Sequence, residues 1–222
     1  MEEVEPTKRL SRDYDRLDTY LLNLSQDVYA QPPDEGHAVW AASTVEAMIG
    51  ITPLAKNVLD IGCGQGFMQP LFEDLGLKWT GLTLGEDYAI CKRNGLNVVH
   101  CDMTFTPFRN REFDLLFARH VLEHSPFPVI TLMEWNRICG GWLLLVAPCP
   151  AYWGVRGKNH YSMIWFEHLE WLLARAGWRP IHTFDFKTSD ELFKRYARYP
   201  ANDPVKIVEY RILCERIKPE VE

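Results

Sequence analysis

The sequence lacks several features that would have assigned it to a common class. Its six cysteines include no pair at C-x-x-C spacing, which disfavours a zinc ribbon or a thioredoxin-type site. No apolar run is long enough to span a bilayer, and the acidic N-terminus has no apolar segment of the kind that a signal peptide needs. These absences predict a soluble, cytoplasmic protein whose cysteines are reduced and mostly buried.

An excess of positive charge is also missing. Lysine and arginine number 24 against 30 aspartates and glutamates, which gives a formal net charge of −6. Because affinity for nucleic acids depends largely on basic residues that neutralise phosphates, this balance argues against a nucleic-acid partner, although a local basic patch would escape the average. We therefore expect a small-molecule substrate.

The first 54 residues are predicted to form a helical cap in front of the main domain. Apolar residues recur at helical spacing from Tyr14 to Leu24, and a second helix is expected over Ala38–Ile49. Two prolines in the intervening segment, Ala30–Gly36, cannot continue a helix. Residues 55–222 are then the main domain.

The main domain alternates between strand-like and helix-like segments. Nearly continuous apolar runs predict strands over 57–61, 79–84, 96–102, 113–118 and 141–148, with helices over 67–75, 87–93 and 129–138. Two further strands, 179–186 and 205–217, flank a helical stretch, Glu191–Tyr199, and can pair antiparallel. The pattern predicts an α/β fold: a doubly wound, Rossmann-like sheet of seven strands, mostly parallel with an antiparallel last strand, and helices on both faces.

A glycine-rich turn, LDIGCGQGF (Leu59–Phe67), follows the first predicted strand. Glycine lets backbone amides approach a ligand closely, and open α/β sheets bind ligands at the carboxyl ends of their strands. The G-x-G-x-G spacing differs from the G-x-G-x-x-G of dinucleotide-binding proteins, whose helix N-terminus holds a pyrophosphate. Asp60 would repel a pyrophosphate but can accept a hydrogen bond from an ammonium group, so the turn favours an adenosine cofactor that carries an amino-acid moiety.

This turn is followed in order by HCDM (100–103), FDLLFARHVLEH (113–124) and GGWLLLVAP (140–148). Together these segments resemble the class I S-adenosylmethionine-dependent methyltransferases, in particular a methyltransferase type 11-like domain, over roughly residues 56–214. The resemblance implies that S-adenosyl-L-methionine is the cofactor. It also implies that the methionine part lies along Gly62, Cys63 and Gly64, with Asp60 near its amino group and Arg119 near its carboxylate.

The same resemblance assigns the adenosine part. Asp102 would accept a hydrogen bond from the adenine amino group while Met103 offers its backbone amide, although Asp102 can also be a solvated strand-end carboxylate. The second strand departs from the family, because Thr83 stands where an acid usually binds both ribose hydroxyls, and threonine makes only a weaker contact. Thr83 and Leu84 remain the predicted ribose side, as a similar Gly-Leu-Thr-Leu segment occurs in proteins resembling cyclopropane fatty acid synthases. Glu86 either supplies part of the missing contact or belongs to an acidic helix start.

The segment HVLEH matches the H-x-x-E-H pattern of inverted zinc peptidases. That pattern requires a helix, whereas this segment directly follows a strand and precedes prolines at 126 and 128. We therefore expect a loop at the mouth of the site. There His124 or His120 would serve as a base, as a polar contact or as a structural hydrogen bonder.

A long aromatic segment, Tyr152–Phe166, follows the fifth strand and contains Arg156, Lys158 and His160. Loops at this edge of the sheet contact substrates, so the segment is predicted to wall the pocket, with His160 as a second candidate base. The alternative is a flap that packs its aromatic side chains on the domain.

Two further absences narrow the function. The fourth strand lacks the Asn/Asp-Pro-Pro-Tyr of many methyltransferases that act on base or glutamine amino groups, and no set of aspartates suggests a metal-dependent catechol-type enzyme, so no metal site is predicted. We expect an S-adenosylmethionine-dependent methyltransferase that moves a methyl group to an O or N atom of a small molecule, with His124 and His160 as the candidate catalytic residues. The alternatives are a catalytically inactive cofactor-binding partner or scaffold subunit, and a nicotinamide oxidoreductase, which the turn spacing opposes.

Overall fold

The computed structural model describes residues 14–25, 28, 30, 35–50, 52, 54–154, 159–187 and 206–217. The described strands form one sheet and are β1 Asn57–Ile61, β2 Lys78–Thr83, β3 Val98–His100, β4 Phe113–Arg119, β5 Cys139–Pro148, β6 Trp178–Lys187 and β7 Ile207–Arg216. The described helices are α1 Tyr14–Ser25, α2 Glu35–Ile49, α3 Gln69–Asp74, α4 Gly85–Arg93, α5 Pro128–Ile138, α6 Pro150–Trp153 and α7 Phe166–Arg175, with a 3₁₀ turn over Leu122–His124.

The sheet has the strand order β3-β2-β1-β4-β5-β7-β6. Neighbouring strands are parallel from β3 to β5, whereas β7 runs antiparallel to both β5 and β6. This arrangement confirms the predicted fold class. The chain order reverses between β1 and β4, which is the place where doubly wound sheets open a ligand crevice at the carboxyl ends of their strands.

The core has two halves, one on each face of the sheet. Alternate residues of β4 point to opposite faces, so Leu116 packs with α5 and α7 while Phe117 packs with α2, α3 and α4. Trp135 and Trp178 fill the first half, and their indole N–H groups donate to backbone carbonyls. Helices therefore cover both faces, as predicted, and the parallel strands read as apolar runs because both of their faces are buried.

Most of the predicted elements begin and end within two residues of their observed bounds, and α2 begins three residues earlier than predicted. The predicted helix Glu191–Tyr199 lies outside the described residues. The domain boundary at residue 54 stays a prediction, but Ala41, Val45 and Met48 of α2 belong to the core under the sheet. Across the described ranges, no helix is both long and apolar enough to cross a membrane.

Candidate active site

A cavity of about 390 Å³ lies at the carboxyl ends of the parallel strands, where the strand order reverses. Its size falls within the usual range for small-molecule sites. The segments that directly follow β1, β2, β3 and β4 form its walls, together with Trp153 and the loop near residue 160. The N-terminal segment adds three apolar side chains to these walls: Leu21, Leu24 and Val28.

This cavity brings together nine of the eleven predicted site residues. They come from segments far apart in the sequence and meet because parallel strands end at one edge of a sheet. The nine are Gly62, Gly64, Thr83, Leu84, Asp102, Met103, Arg119, His124 and His160.

Asp60 and Cys63 do not line the large cavity, and their predicted contact with the cofactor stays a prediction. They line a side pocket of about 30 Å³ that adjoins it, since Gly62 and Arg119 border both. Asp60 is 3% exposed and accepts a hydrogen bond of 3.2 Å from Trp79 Nε1. Burial, only partly offset by this bond, raises the pKa of Asp60 to about 7.

The glycine turn is held against β2 and against the chain after β4. The amides of Gly62 and Cys63 both donate to the carbonyl of Leu82, at 2.8 and 3.1 Å, so they do not face a ligand. Gly62 has φ +71°, and a Cβ there would lie 2.6 Å from Val121 Cγ2. Only glycine fits this close contact between the two loops.

An acid does face the cavity near the end of β2, but it is not the predicted one. Asp87 in the first turn of α4 is buried, lines the cavity and accepts a hydrogen bond from Gln65 Nε2 at 3.1 Å. Glu86 is exposed and does not line the cavity. Asp87 therefore supplies a carboxylate beside Thr83, which the sequence pattern did not identify because helical phase decides which of two adjacent acids turns inward.

The predicted adenine side is ordered by local contacts. Asp102 Oδ1 accepts a hydrogen bond of 2.7 Å from the amide of Thr104, which fixes the carboxylate in a turn after β3. The carbonyl of Met103 accepts the indole N–H of Trp135 at 3.0 Å, which ties the same turn to the core. Both residues line the cavity, as expected for an adenine contact.

A buried ionic network at the end of β4 was missed by the sequence analysis. Glu209 of β7 is fully buried, and its Oε1 lies 2.6 Å from Arg119 Nη2 and 3.1 Å from His120 Nε2, while Oε2 lies 3.4 Å from Arg211 Nε. Burial alone would raise the pKa of Glu209, but His120 and the two arginines lower it to about 2. Because β7 is distant in sequence, no local pattern could have shown this partner of Arg119.

The segment HVLEH forms the predicted loop at the mouth of the site. His120 adopts φ +49°, an uncommon conformation for a residue with a side chain, and this bend leads from β4 into the 3₁₀ turn Leu122–His124. The amide of Ser162 donates to the carbonyl of Glu123 at 2.9 Å, and Ser162 Oγ donates to the carbonyl of Ser125 at 2.6 Å. These bonds join the aromatic loop after β5 to this turn. Arg156 and Lys158 of that loop lie outside the described residues.

The joined loops bring His124 and His160 together on the cavity wall, beside Glu123. The two imidazole centroids are 4.9 Å apart, and one polar atom each from Glu123, His124 and His160 lies within 4.8 Å of the others. Burial lowers the pKa of both histidines below its usual value, so both are neutral near pH 7. Burial also raises the pKa of Glu123 to about 8.

The fold and cavity together define a class of protein. A doubly wound sheet whose seventh strand is antiparallel, with a glycine turn after β1 and an acid after β3 on one cavity, is the arrangement of a class I methyltransferase domain. Residues 59–145 match the family described as a methyltransferase domain. This match covers 87 of the 222 residues, and with the fold it makes the chain similar to the class I S-adenosylmethionine-dependent methyltransferases, whose cofactor is S-adenosyl-L-methionine.

One curated relative resembles part of the chain in sequence. A ubiquinone biosynthesis O-methyltransferase of Glaesserella parasuis serovar 5 (strain SH0165) is 33% identical over 85 residues, which cover 33% of this chain and 36% of that protein. The chain therefore matches only about a third of the length of this curated relative.

Two solved structures share the fold. A SAM-dependent methyltransferase from Archaeoglobus fulgidus superposes with a TM-score of 0.64 at 17% identity, over 89% of this chain and 99% of that one. The [4+2]-cyclase SpnF superposes with a TM-score of 0.64 at 18% identity, over 90% and 93% of the two chains. At these identities the likeness shows the fold alone.

Proposed function

We propose that this protein transfers the methyl group of S-adenosyl-L-methionine to an O or N atom of a small-molecule acceptor. The observation that supports the proposal is a single cavity shared by the glycine turn and by the imidazoles of His124 and His160. Methyl transfer from a sulfonium is an in-line displacement, for which a protein mainly supplies alignment, and alignment alone contributes roughly 7–11 kcal/mol.

We propose that the cofactor lies in the cavity as the resemblance to class I methyltransferases implies. Adenine lies beside Asp102 and Met103, the ribose beside Thr83 and Asp87, and the methionine part along Gly62 and Gly64. The sulfonium then faces the end of β4, and the acceptor occupies the remaining space toward His124, His160 and Trp153. Apolar side chains of the N-terminal segment exclude water from the acceptor.

His124 and His160 assist the loss of the acceptor's proton. Both are neutral near pH 7, so a ring nitrogen of each can accept a hydrogen bond from the acceptor's O–H or N–H group and then accept its proton. His124→Ala and His160→Ala are each expected to lower kcat by about 10²–10⁴-fold, measured as methyl transfer across a panel of phenols, alcohols and amines. Both variants should still bind S-adenosylhomocysteine as tightly as wild type.

His168→Ala provides the matched control, because His168 is exposed on α7 and does not line the cavity. It should retain wild-type turnover. Wild-type turnover in both cavity variants would contradict the assignment of these histidines.

A catalytically inactive cofactor-binding subunit is the second candidate. Thr83 in place of the usual acid favours it, and SpnF is called a [4+2]-cyclase although it shares the fold, so the fold by itself does not fix the reaction. Calorimetric titration with S-adenosylhomocysteine and a methyl-release assay on the same preparation separate the two candidates. Tight binding with no methyl release on any acceptor would favour the inactive subunit.

A further inference from the structure

One side chain on the cavity wall has no role in the proposed reaction. Glu123 is 3% exposed, and its Oε2 has no hydrogen-bond partner among the residues that the structure describes. A buried carboxylate oxygen without a partner is strongly unfavourable, because it loses its hydration and gains nothing in return. Its position beside His124 and His160 on the cavity wall points to a ligand that satisfies all three groups.

Each of the two imidazoles can present a ring nitrogen to such a ligand. His124 Nδ1 lies 3.1 Å from the carbonyl oxygen of Asn159, so Nδ1–H donates there and Nε2 keeps its lone pair. Histidines that bind metals almost always donate their other ring N–H in this way. Nδ1 of His160 is buried and, within the described ranges, has no hydrogen-bond partner.

The literal H-x-x-E-H pattern would choose His120 as the third group, and the geometry disfavours that choice. His120 Nε2 lies 3.1 Å from Glu209 Oε1, and its ring packs edge-on against Trp153 with centroids 5.2 Å apart. His160 occupies the third position instead, because Ser162 ties its loop to the backbone of Glu123 and Ser125.

We infer that Glu123, His124 and His160 form a binding site for a divalent cation, with Zn²⁺ as the ion that suits two imidazole nitrogens and one carboxylate oxygen. Zinc binds such atoms at about 2.0–2.2 Å, which in a tetrahedral site sets them about 3.3–3.6 Å from one another. The three atoms lie within 4.8 Å of one another, so zinc binding requires the side chains to rotate closer together. Three protein ligands leave one coordination position open toward the cavity.

The open position defines an acceptor class, and this part of the inference rests on the proposed function. An alcohol or phenol whose oxygen binds the ion loses its proton to solvent more easily, as zinc-bound water does. The oxygen lone pair then forms the new C–O bond while the C–S bond breaks. The sulfonium becomes the neutral thioether of S-adenosylhomocysteine. Each ether formed is therefore accompanied by one S-adenosylhomocysteine and one proton released to solvent. His124 and His160 assist deprotonation through the ion instead of taking the proton themselves.

Zinc binding tests the site without any cofactor or acceptor. The full chain is freed of its affinity tag and of bound metal by dialysis against a chelator, and Zn²⁺ is titrated by calorimetry. Wild type should bind one ion per chain. Glu123→Gln and His160→Asn should each weaken binding by about 100-fold, whereas His120→Asn should leave it unchanged.

Equal zinc affinity in wild type and His160→Asn would overturn the site, as would loss of binding in His120→Asn but not in His160→Asn. Thermal unfolding of each variant shows whether it still folds. Anomalous diffraction at the zinc edge from wild-type crystals provides a test that needs no variant. The ion should lie between Glu123, His124 and His160, and an ion bound only elsewhere contradicts the inference.

A chelator separates failure of the ion's role from failure of the proposed function. Chelation should abolish transfer to hydroxyl acceptors, leave S-adenosylhomocysteine binding unchanged, and be reversed by added Zn²⁺. Full transfer by the metal-free protein would overturn the role of the ion and leave the methyltransferase proposal intact. Failure to bind S-adenosylhomocysteine would instead overturn the proposed function, whatever the zinc result.

Discussion

Two buried carboxylates near the cavity differ in their pKa because they differ in their partners. Glu209 contacts Arg119, Arg211 and His120, and its pKa falls to about 2. Among the described residues Asp60 has only the neutral indole of Trp79 as a side-chain partner, and burial raises its pKa to about 7. Because Asp60 adjoins the cavity through a side pocket, a cationic group of a bound ligand would stabilise its ionised form.

Asp60→Asn is predicted to change the pH dependence of folding stability. The folded-state pKa of Asp60 is raised from 3.8 to about 7, so the folded protein binds a proton that the unfolded chain has already lost in this range. Wild-type stability should therefore fall as pH rises from about 4 to 7, by up to about 4 kcal/mol from this residue. Asparagine does not titrate, so the variant should not show this loss. In urea unfolding, the free energy of unfolding of the variant relative to that of wild type should therefore increase from pH 5 to pH 8.

The same variant tests whether Asp60 serves the cofactor. If Asp60 accepts a hydrogen bond from the cofactor ammonium, Asp60→Asn should weaken S-adenosylhomocysteine binding at pH 8 by roughly 10-fold or more, since bonds to charged groups contribute about 1.5–3 kcal/mol. Unchanged affinity at pH 8 would limit Asp60 to a structural role. An unchanged pH profile of stability would contradict the raised pKa.

The sequence identified Asp60 but could not show what covers it. Trp79 and Gly81 of β2 point to the same side as Asp60, because β1 and β2 pair in parallel with Asp60 opposite Gly81. A Cβ at Gly81 would lie 2.6 Å from Trp79 Cη2, so this glycine leaves room for the indole. Such a contact depends on strand register, which the sequence pattern does not provide.

At the scale of elements, the site depends on the packing of one loop against another. The glycine turn after β1 contacts the turn after β4 at Gly62 and Val121, and the turn after β4 is bonded to the loop after β5 through Ser162. Displacement of the first loop would therefore shift the second, and with it Glu123 and His124. These contacts therefore couple the side of the cavity where we propose the cofactor to the side where we propose the acceptor.

Gly62→Ala is predicted to impair both halves. The new Cβ would require φ near +71° and would lie 2.6 Å from Val121 Cγ2. The backbone conformation costs about 1–2 kcal/mol, and the clash adds to it by moving Val121. We expect lower unfolding stability, weaker S-adenosylhomocysteine binding and weaker zinc binding than in wild type.

Gly76→Ala is the matched control, because Gly76 has φ +79° but no atom within 4 Å of the added Cβ. It carries the same backbone strain without the clash, so its unfolding free energy should fall by only the backbone part and its ligand binding should be unchanged. Equal effects of the two substitutions would contradict the account of loop packing.

Helices, strands and the loop after β4 could be predicted, because the spacing of residues along the chain determines them. Contacts between segments that are distant in the sequence could not be predicted in this way. The strands and helices follow from apolar periodicity, and the loop at HVLEH follows from the prolines after it. His160 was predicted to wall the pocket, but its place beside Glu123 did not follow, because the H-x-x-E-H pattern pairs Glu123 with His120 whereas the chain after β5 brings His160 there. Glu209 was missed for the same reason.

At the scale of the whole molecule, the N-terminal segment and the sheet share one cavity. Leu21 and Leu24 of α1 contribute to the cavity wall, and α2 packs in the core under the sheet. Composition alone separates a helical cap from a cofactor domain at residue 54, whereas the described contacts join them around the site. The N-terminal segment therefore takes part in enclosing the cavity.

Calorimetric titration is the direct test of whether this cavity binds an S-adenosyl cofactor. S-adenosylhomocysteine and NADH are titrated separately into the full chain at pH 8, where Asp60 is largely ionised. The account predicts one S-adenosylhomocysteine bound per chain and no measurable NADH binding, because the turn spacing and Asp60 disfavour a pyrophosphate. Binding of NADH in preference to S-adenosylhomocysteine, or no binding of S-adenosylhomocysteine at all, would contradict it.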